Sequence, residues 1–89
     1  MNYSPLAMFP RIKSYKPLEG YKLLVSFDDG RQVNYDVADD IATLPDFTDL
    51  KTEQGLFENA QLDKSRTCIY WNDRIDLPSD VIYEYGKVM

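Results

Sequence analysis

The residues of this sequence that could do chemistry are almost all carboxylates. There are fifteen aspartates and glutamates, one cysteine and no histidine. Without histidine the chain lacks the commonest general base and the usual protein ligand of zinc and copper. Carboxylates can still act as acid and base where a pocket raises one pKa, and they can bind Mg²⁺ or Ca²⁺. What these acids can do therefore depends on where they lie in the sequence.

Two pairs of adjacent aspartates are the strongest candidates for a metal site. They are Asp28-Asp29 and Asp39-Asp40, and neither has the alternating acids and the glycine of an EF-hand loop. The first pair precedes Gly30, as in a tight hairpin turn. The second pair lies where a short helix is predicted to begin, with Asp39 as its cap. Turn formation and capping explain both pairs better than a metal, and we predict no cofactor.

Two further aspartates lie inside apolar runs. Asp36 follows Tyr35 in one predicted strand, and Asp76 lies between Ile75 and Leu77 in another. Strand alternation places both carboxylates on the outer face, so we expect structural roles for them. A specific alternative is that Asp76 accepts hydrogen bonds from backbone donors at the start of the helix predicted from Pro78.

The cysteine and the tryptophan are expected to be core residues. Cys68 has no histidine partner and lies in an apolar strand, which predicts a buried, unreactive thiol. A single cysteine forms no disulfide within the chain, which favours a reducing compartment. Trp71 and Tyr70 could stack on bases, but Arg66 and Arg74 are the only cations nearby. We therefore interpret Trp71 as a core aromatic and expect no nucleic acid partner.

The composition limits the class of protein. The chain has 89 residues, 44% of them hydrophobic, which predicts one small globular domain. The net charge of −5 disfavours binding to phosphate backbones, and a basic protein partner or plain solubility fits it better. The N-terminal segment lacks a basic region before its apolar residues, and no run reaches membrane-spanning length. These features predict a cytoplasmic protein that does not bind membranes.

A central β-hairpin over about residues 21–37 is predicted to position the acids. Apolar residues, several of them β-branched or aromatic, recur at every second position on both sides of an Asp-Gly turn at Gly30. The apolar positions of this alternation are Tyr21, Leu23, Val25, Phe27, Val33, Tyr35 and Val37. A lone hairpin is marginal in water, so the other segments must cover its apolar face.

The other segments are predicted to complete a single α+β domain over residues 10–89, after a flexible lead-in over 1–9. Prolines at both flanks of residues 10–17 indicate a short edge strand, with an irregularity. Short helical turns are expected over 39–59. We predict a small antiparallel sheet, built on the hairpin, with short helices on one side.

The C-terminal third is predicted to hold a strong strand and a short helix. The strand covers residues 67–71, with Ile69 and Trp71 on the same face. The helix begins near Pro78, because a proline at the first turn loses no hydrogen bond, and it ends near Gly86.

The sequence resembles a small bacterial family of unknown function over roughly residues 10–85. The residues that carry the resemblance are Phe27, Asp29, Gly30, Asp36, Trp71, Ile75, Asp76, Leu77, Pro78, Asp80 and Tyr83. The family usually has a glycine in the turn after the tryptophan, where this chain has Asp73-Arg74.

The resemblance implies an α+β module that stands alone or is joined to a helix-turn-helix domain. It also implies that relatives can be encoded beside small proteins thought to act as toxins. It implies no catalytic residue. The motif positions for which we expect structural roles are Gly30, Trp71, Asp76, Pro78 and Tyr83.

The leading hypothesis for function is a non-enzymatic interaction module that binds or neutralises a small basic protein. The carboxylates expected to steer that partner are Asp28, Asp29, Asp36, Asp39 and Asp40. One alternative is a homo-oligomer that assembles through unpaired sheet edges. Another is a minor enzyme that uses carboxylates alone or with Mg²⁺.

Overall fold

The computed structural model describes residues 9–89, so the predicted lead-in over 1–9 lies outside the described residues except for Phe9. The strands are β1 (Ile12–Leu18), β2 (Lys22–Phe27), β3 (Gln32–Asp36), β4 (Gln61–Leu62), β5 (Cys68–Asn72), β6 (Ile75–Pro78) and β7 (Lys87–Val88). The helices are α1 (Ala38–Thr43), α2 (Asp49–Thr52) and α3 (Ser79–Tyr85), with 3₁₀ turns at Pro45–Thr48 and Phe57–Asn59. This combination confirms the α+β class.

The strands are divided between two antiparallel sheets, a division that the sequence pattern did not indicate. One sheet has the order β1-β2-β3-β7 and the other the order β4-β5-β6. In the first sheet, β7 pairs with the outer edge of β3 through Val33 and Asn34. In the second sheet, β5 pairs with its sequence neighbours on both sides.

The predicted hairpin is present as β2 and β3, with Leu23 opposite Tyr35 and Val25 opposite Val33. Gly30 has a φ of +94°, the left-handed conformation that its turn requires. Tyr21 differs from the prediction. It lies before the strand with a φ of +61°, in the turn that leads from β1.

The first strand lies at the edge of its sheet, as its prolines predicted. Its register shifts between Ile12 and Ser14, which is the predicted irregularity. Pro17 is tolerated inside β1 because an edge strand can lack one backbone donor.

The core joins the inner faces of both sheets to the helical segment. Trp71 is only 7% exposed and donates its indole N–H to the Phe57 carbonyl over 2.9 Å. Its ring stacks on the Phe57 ring at a centroid distance of 5.9 Å. The prediction that Trp71 is a core aromatic is therefore confirmed, and its partner comes from the 3₁₀ turn before β4.

Helix α3 follows Pro78 and ends at Tyr85, as predicted. Gly86 is needed there for its small size, since its φ of −69° is open to any residue. A Cβ atom on Gly86 would lie 2.8 Å from the Val33 side chain and 2.6 Å from the Ile82 carbonyl oxygen. The glycine therefore lets the end of α3 approach β3 closely.

Candidate functional site

The hairpin turn places Asp28 beside the loop between β4 and β5. Arg66 donates from both terminal nitrogens to the two carboxylate oxygens of Asp28, each over 2.9 Å. The same guanidinium donates to the Ile12 carbonyl over 3.2 Å, and the Ile12 N–H donates to the Arg66 carbonyl over 2.7 Å. The hydrogen bond from Arg66 is the main reason that the pKa of Asp28 is lowered. A paired, fork-shaped contact of this kind is stronger than an ordinary surface ion pair, and here it joins the two sheets.

Asp29 points to helix α3. One carboxylate oxygen accepts the Arg31 backbone N–H over 2.9 Å, and the other accepts the Tyr83 hydroxyl over 2.6 Å. The Arg31 guanidinium lies 4.2 Å from the centre of the Tyr83 ring, and the ring meets Phe27 edge-on at 5.0 Å. The bond with Tyr83 lowers the pKa of Asp29 and raises that of Tyr83.

We call this group the turn clamp; it consists of Asp28, Asp29, Arg31, Arg66 and Tyr83. It places two of the five predicted partner-binding acids in internal hydrogen bonds with other parts of the chain. Their role in binding a partner stays a prediction, and it requires these bonds to be shared or broken.

The other three predicted acids lie at helix α1. The Asp36 carboxylate accepts the N–H of Ala38, the first residue of the helix, over 3.0 Å. The prediction that Asp39 is the cap is wrong, because the helix begins one residue earlier and Asp39 lies in its first turn. Asp40 accepts the Tyr35 hydroxyl over 2.7 Å. Burial of Tyr35, and then this bond, raise its pKa.

The net negative charge of the chain is concentrated from the end of β3 to the turn before β4. We call residues 36–58 the acidic segment: it holds seven acids and one lysine, a net charge of −6. The remainder of the chain holds eight acids and nine basic residues. Within the described residues, no side-chain hydrogen bond or ion pair involves the exposed carboxylates of Asp39, Asp46, Glu53 and Glu58.

A cavity of about 290 Å³ opens inside this acidic segment. We call it the apolar cleft, and its lining residues are Tyr21, Ala38, Ile41, Ala42, Thr48 and Lys51. Three of them lie on one side of α1, since positions three and four apart share a helix face. No residue of α1 is fully buried, so the apolar side of this helix stays open at the cleft.

The carboxylate of Asp76 lies on the outer face of β6, as alternation predicted, because Ile75 and Leu77 on either side are buried. The alternative, that Asp76 accepts hydrogen bonds from backbone donors at the helix start, is wrong for the first N–H of α3. The Ser79 N–H donates to the Thr67 carbonyl over 2.8 Å and so joins the helix start to β5.

Cys68 is half-buried, which corrects the prediction of a fully buried thiol. Strand alternation places it opposite Ile69 and Trp71, on the outer face of β5. Its pKa is raised by burial and by the charges of Asp76 and Asp63, so the reactive thiolate is disfavoured. The expectation of an unreactive thiol thus rests on half-burial and nearby acids.

Sequence reasoning missed the basic and aromatic partners of the turn acids. The sequence indicates Arg66 only as one of two cations near Trp71, and it predicts no role for Arg31. A partial signal is Asp63, in the polar stretch before β5. Its carboxylate accepts the Thr67 and Cys68 N–H groups over 2.9 and 3.1 Å. In this loop the backbone of Arg66 adopts the left-handed conformation, with a φ of +63°.

The described residues form neither a metal-binding cluster nor a membrane-spanning helix. Between residues 9 and 89, no group of three or more Cys, Asp or Glu side chains is placed to hold a metal ion. Over the same range, every helix is too short or too polar to cross a membrane.

Comparison with known proteins gives one match. The family model described as "Protein of unknown function (DUF2442)" matches residues 12–88, which is nearly the whole chain. The resemblance to a small family of unknown function is thereby confirmed. No curated protein and no solved structure gives a significant match.

Proposed function

The chain belongs to the DUF2442 family, whose function is unknown, and we propose that this member is a non-enzymatic module that binds a basic protein. The acidic segment is the binding surface. The single observation that carries the proposal is the separation of the acids into two groups. The turn acids bond to the protein's own arginine and tyrosine, whereas several exposed acids of the acidic segment have no such partner among the described residues.

The concentration of charge supports a basic partner. A net charge of −6 within residues 36–58 produces a strong local field, while the rest of the chain is close to neutral. Such a surface accelerates association with a cation-rich protein and disfavours an acidic one. Added salt screens exposed charges, so the association rate is expected to fall as ionic strength rises.

The partner that we propose is a small basic protein encoded beside this chain, which the interaction neutralises. The support for this finer statement is the resemblance described above, in which relatives neighbour small toxin-like proteins. Among the acids originally assigned to this role, Asp39 remains the best placed, because it is exposed on α1. Asp46 and Glu53 are further exposed acids of the acidic segment.

The test is capture of the partner from the source cell by the wild-type chain and by two neutralised variants. The first variant carries D39N, D46N and E53Q, all in the acidic segment. The matched control carries D73N, D80N and E19Q, which remove the same number of exposed charges outside it. We expect the first variant to lose at least about tenfold in affinity for a captured basic protein, and the control to stay close to wild type.

Two results would contradict the proposal. One is an equal loss of affinity in both variants, which would mean that overall charge, and not the acidic segment, determines binding. The other is recovery of no basic protein by the wild-type chain even at low salt. Circular dichroism of each variant separates loss of binding from loss of structure.

The two alternatives have less support. Self-assembly through β1 is opposed by Lys13, Lys16 and Pro17, since charges and prolines are devices that keep edge strands from pairing. A carboxylate enzyme needs two acids that converge in a sheltered cavity. The adjacent Asp28 and Asp29 instead diverge to different parts of the chain.

A further inference from the structure

We propose that the apolar cleft is the anchoring pocket for the basic partner, and that it takes one apolar side chain from a short helical segment rich in lysine or arginine. The inference rests on the proposed function, from which it takes the positive charge of the partner. It adds the position of a hydrophobic anchor, which charge alone does not specify.

The size of the cleft suits side chains. At about 290 Å³ it lies at the lower end of the range of small-molecule sites. It is partly open to solvent, which fits insertion of one aliphatic or aromatic group from a protein surface. Interfaces commonly draw most of their binding energy from a few such anchors in a pocket.

Helix α1 supplies one wall of the cleft. Ala38, Ile41 and Ala42 share a face of this helix, and two of the three are alanines. Small residues let a second helix approach closely, while Ile41 offers a branched side chain to contact. Because none of the three is fully buried, this face still has apolar surface to cover.

Tyr21 supplies an aromatic wall of the cleft. Its backbone is held in the left-handed region by the turn, where the Val37 N–H donates to the Tyr21 carbonyl over 2.9 Å. Its ring meets Phe57 edge-on at 5.4 Å, which fixes the ring against the core. A tyrosine that is half-buried and rigidly supported is a frequent anchor at protein interfaces.

The charge around the cleft selects the occupant. Asp39 is exposed next to Ala38, and Asp46 is exposed close in sequence to Thr48, so cations beside the inserted side chain would meet carboxylates. Lys51 is the only cation of the acidic segment and also lines the cleft. Its long aliphatic stem can extend the apolar wall while its ammonium group stays in water.

The test measures binding of three short synthetic helix-forming peptides by fluorescence anisotropy. The first peptide has leucines at helical spacing and lysines between them. The second has serine in place of each leucine, and the third has glutamate in place of each lysine. We expect the first to bind at least about tenfold more tightly than the other two, because it alone supplies both the anchor and the charge. Amide NMR shifts should cluster at residues 38–42 and 48–51.

Two variants of α1 locate the binding. A42F fills the cleft, and T43F adds the same ring at the next exposed position, which does not line it. We expect A42F to weaken the leucine–lysine peptide at least about tenfold and T43F to leave its affinity within about twofold. The pair A42E and T43E repeats the test with a charge in place of a ring, should either phenylalanine variant fold poorly.

The outcomes separate this inference from the proposed function. Equal binding of the serine and leucine peptides, or no difference between A42F and T43F, overturns the cleft as an anchor. Either result is compatible with charge-driven docking. Failure of all three peptides to bind also overturns the anchor, whereas the capture experiment with neutralised variants decides the proposed function independently.

Discussion

The two acidic regions of this protein differ in what their carboxylates touch. In the turn clamp, Asp28 and Asp29 bond to Arg66 and Tyr83, which lie in the loop before β5 and in the last helix. In the acidic segment, Asp39 points into solvent. The same residue type therefore stabilises the fold in one place and leaves charge available in the other.

The difference arises from the geometry of the neighbours. The β2–β3 turn reaches both the loop before β5 and helix α3, so a cation and a hydroxyl are brought to it by tertiary packing. The acidic segment is built from short helices and turns, and it contains a single cation, Lys51. Acidic side chains contribute most to folding stability where they are paired in a fixed geometry.

The largest expected effect comes from the core beneath the acidic segment. Trp71→Ala removes the ring stacked on Phe57 and the bond to its carbonyl, so we expect a loss of about 3–5 kcal/mol in the free energy of unfolding. Trp71→Phe keeps most of the ring and should lose less. Urea unfolding followed by circular dichroism measures both. A change below about 1 kcal/mol in the alanine variant would mean that this contact does not hold the segment.

The next effect concerns the seat of α3, which positions Tyr83 in the turn clamp. Gly86→Ala places a methyl group against the Ile82 carbonyl and Val33, and we expect a loss of about 1–3 kcal/mol by overpacking. Lys87→Ala, at the next and exposed residue, is the control and should have little effect. An alanine variant as stable as wild type would show that α3 can move away from β3 at no cost.

A smaller effect is expected when one bond of the clamp is removed. Tyr83→Phe keeps the ring on Phe27 and Arg31 but deletes the hydroxyl that donates to Asp29. The melting temperature should fall modestly, and affinity for the basic partner should not change. Tyr85→Phe is the matched control, because Tyr85 is 76% exposed. Equal melting temperatures for the two variants would show that the hydrogen bond from the Tyr83 hydroxyl does not stabilise the fold.

The pH dependence of stability tests the same bonds. The pKa values of Asp28 and Asp29 are lowered in the folded protein by Arg66 and Tyr83, respectively. The unfolded chain therefore binds more protons, and their stabilisation is present above the ordinary aspartate pKa of about 3.9 and is lost as pH falls through the lower folded values.

The pKa of Tyr83 is raised, so its contribution is present below its ordinary value of about 10 and is lost as pH rises through the folded value. Urea midpoints measured across pH should therefore fall at both ends of the range. In D28N the acid limb should be shallower, and in Y83F both limbs should be shallower. Unchanged profiles in these variants would contradict the assignments.

The local parts of the fold could be predicted from the sequence. Alternation and the Asp-Gly turn predicted the hairpin, and the prolines around residues 10–17 predicted an edge strand with an irregularity. These features depend on residues close in the chain. Trp71 was also identified as core, because a large aromatic in a short apolar strand has few other places to go.

The parts that depend on distant residues could not be predicted. The division into two sheets places β7, at the end of the chain, beside β3 and not beside β6. The partners of Asp28 and Asp29 lie 38 and 54 residues away. The sequence identified these acids as candidates but contained no signal that separated them from Asp39, since all three were placed in predicted turns or helix starts. Only tertiary packing makes that distinction.

The most direct measurement compares two double variants that each remove two aspartate charges, D28N/D29N in the turn clamp and D39N/D46N in the acidic segment. Stability by urea unfolding and affinity for the captured basic partner are measured on the same samples, at a temperature where both are folded. We predict that D28N/D29N lowers the unfolding midpoint and keeps its affinity, while D39N/D46N keeps the midpoint and loses affinity. The opposite assignment, or equal effects of the two variants on affinity, would contradict the account.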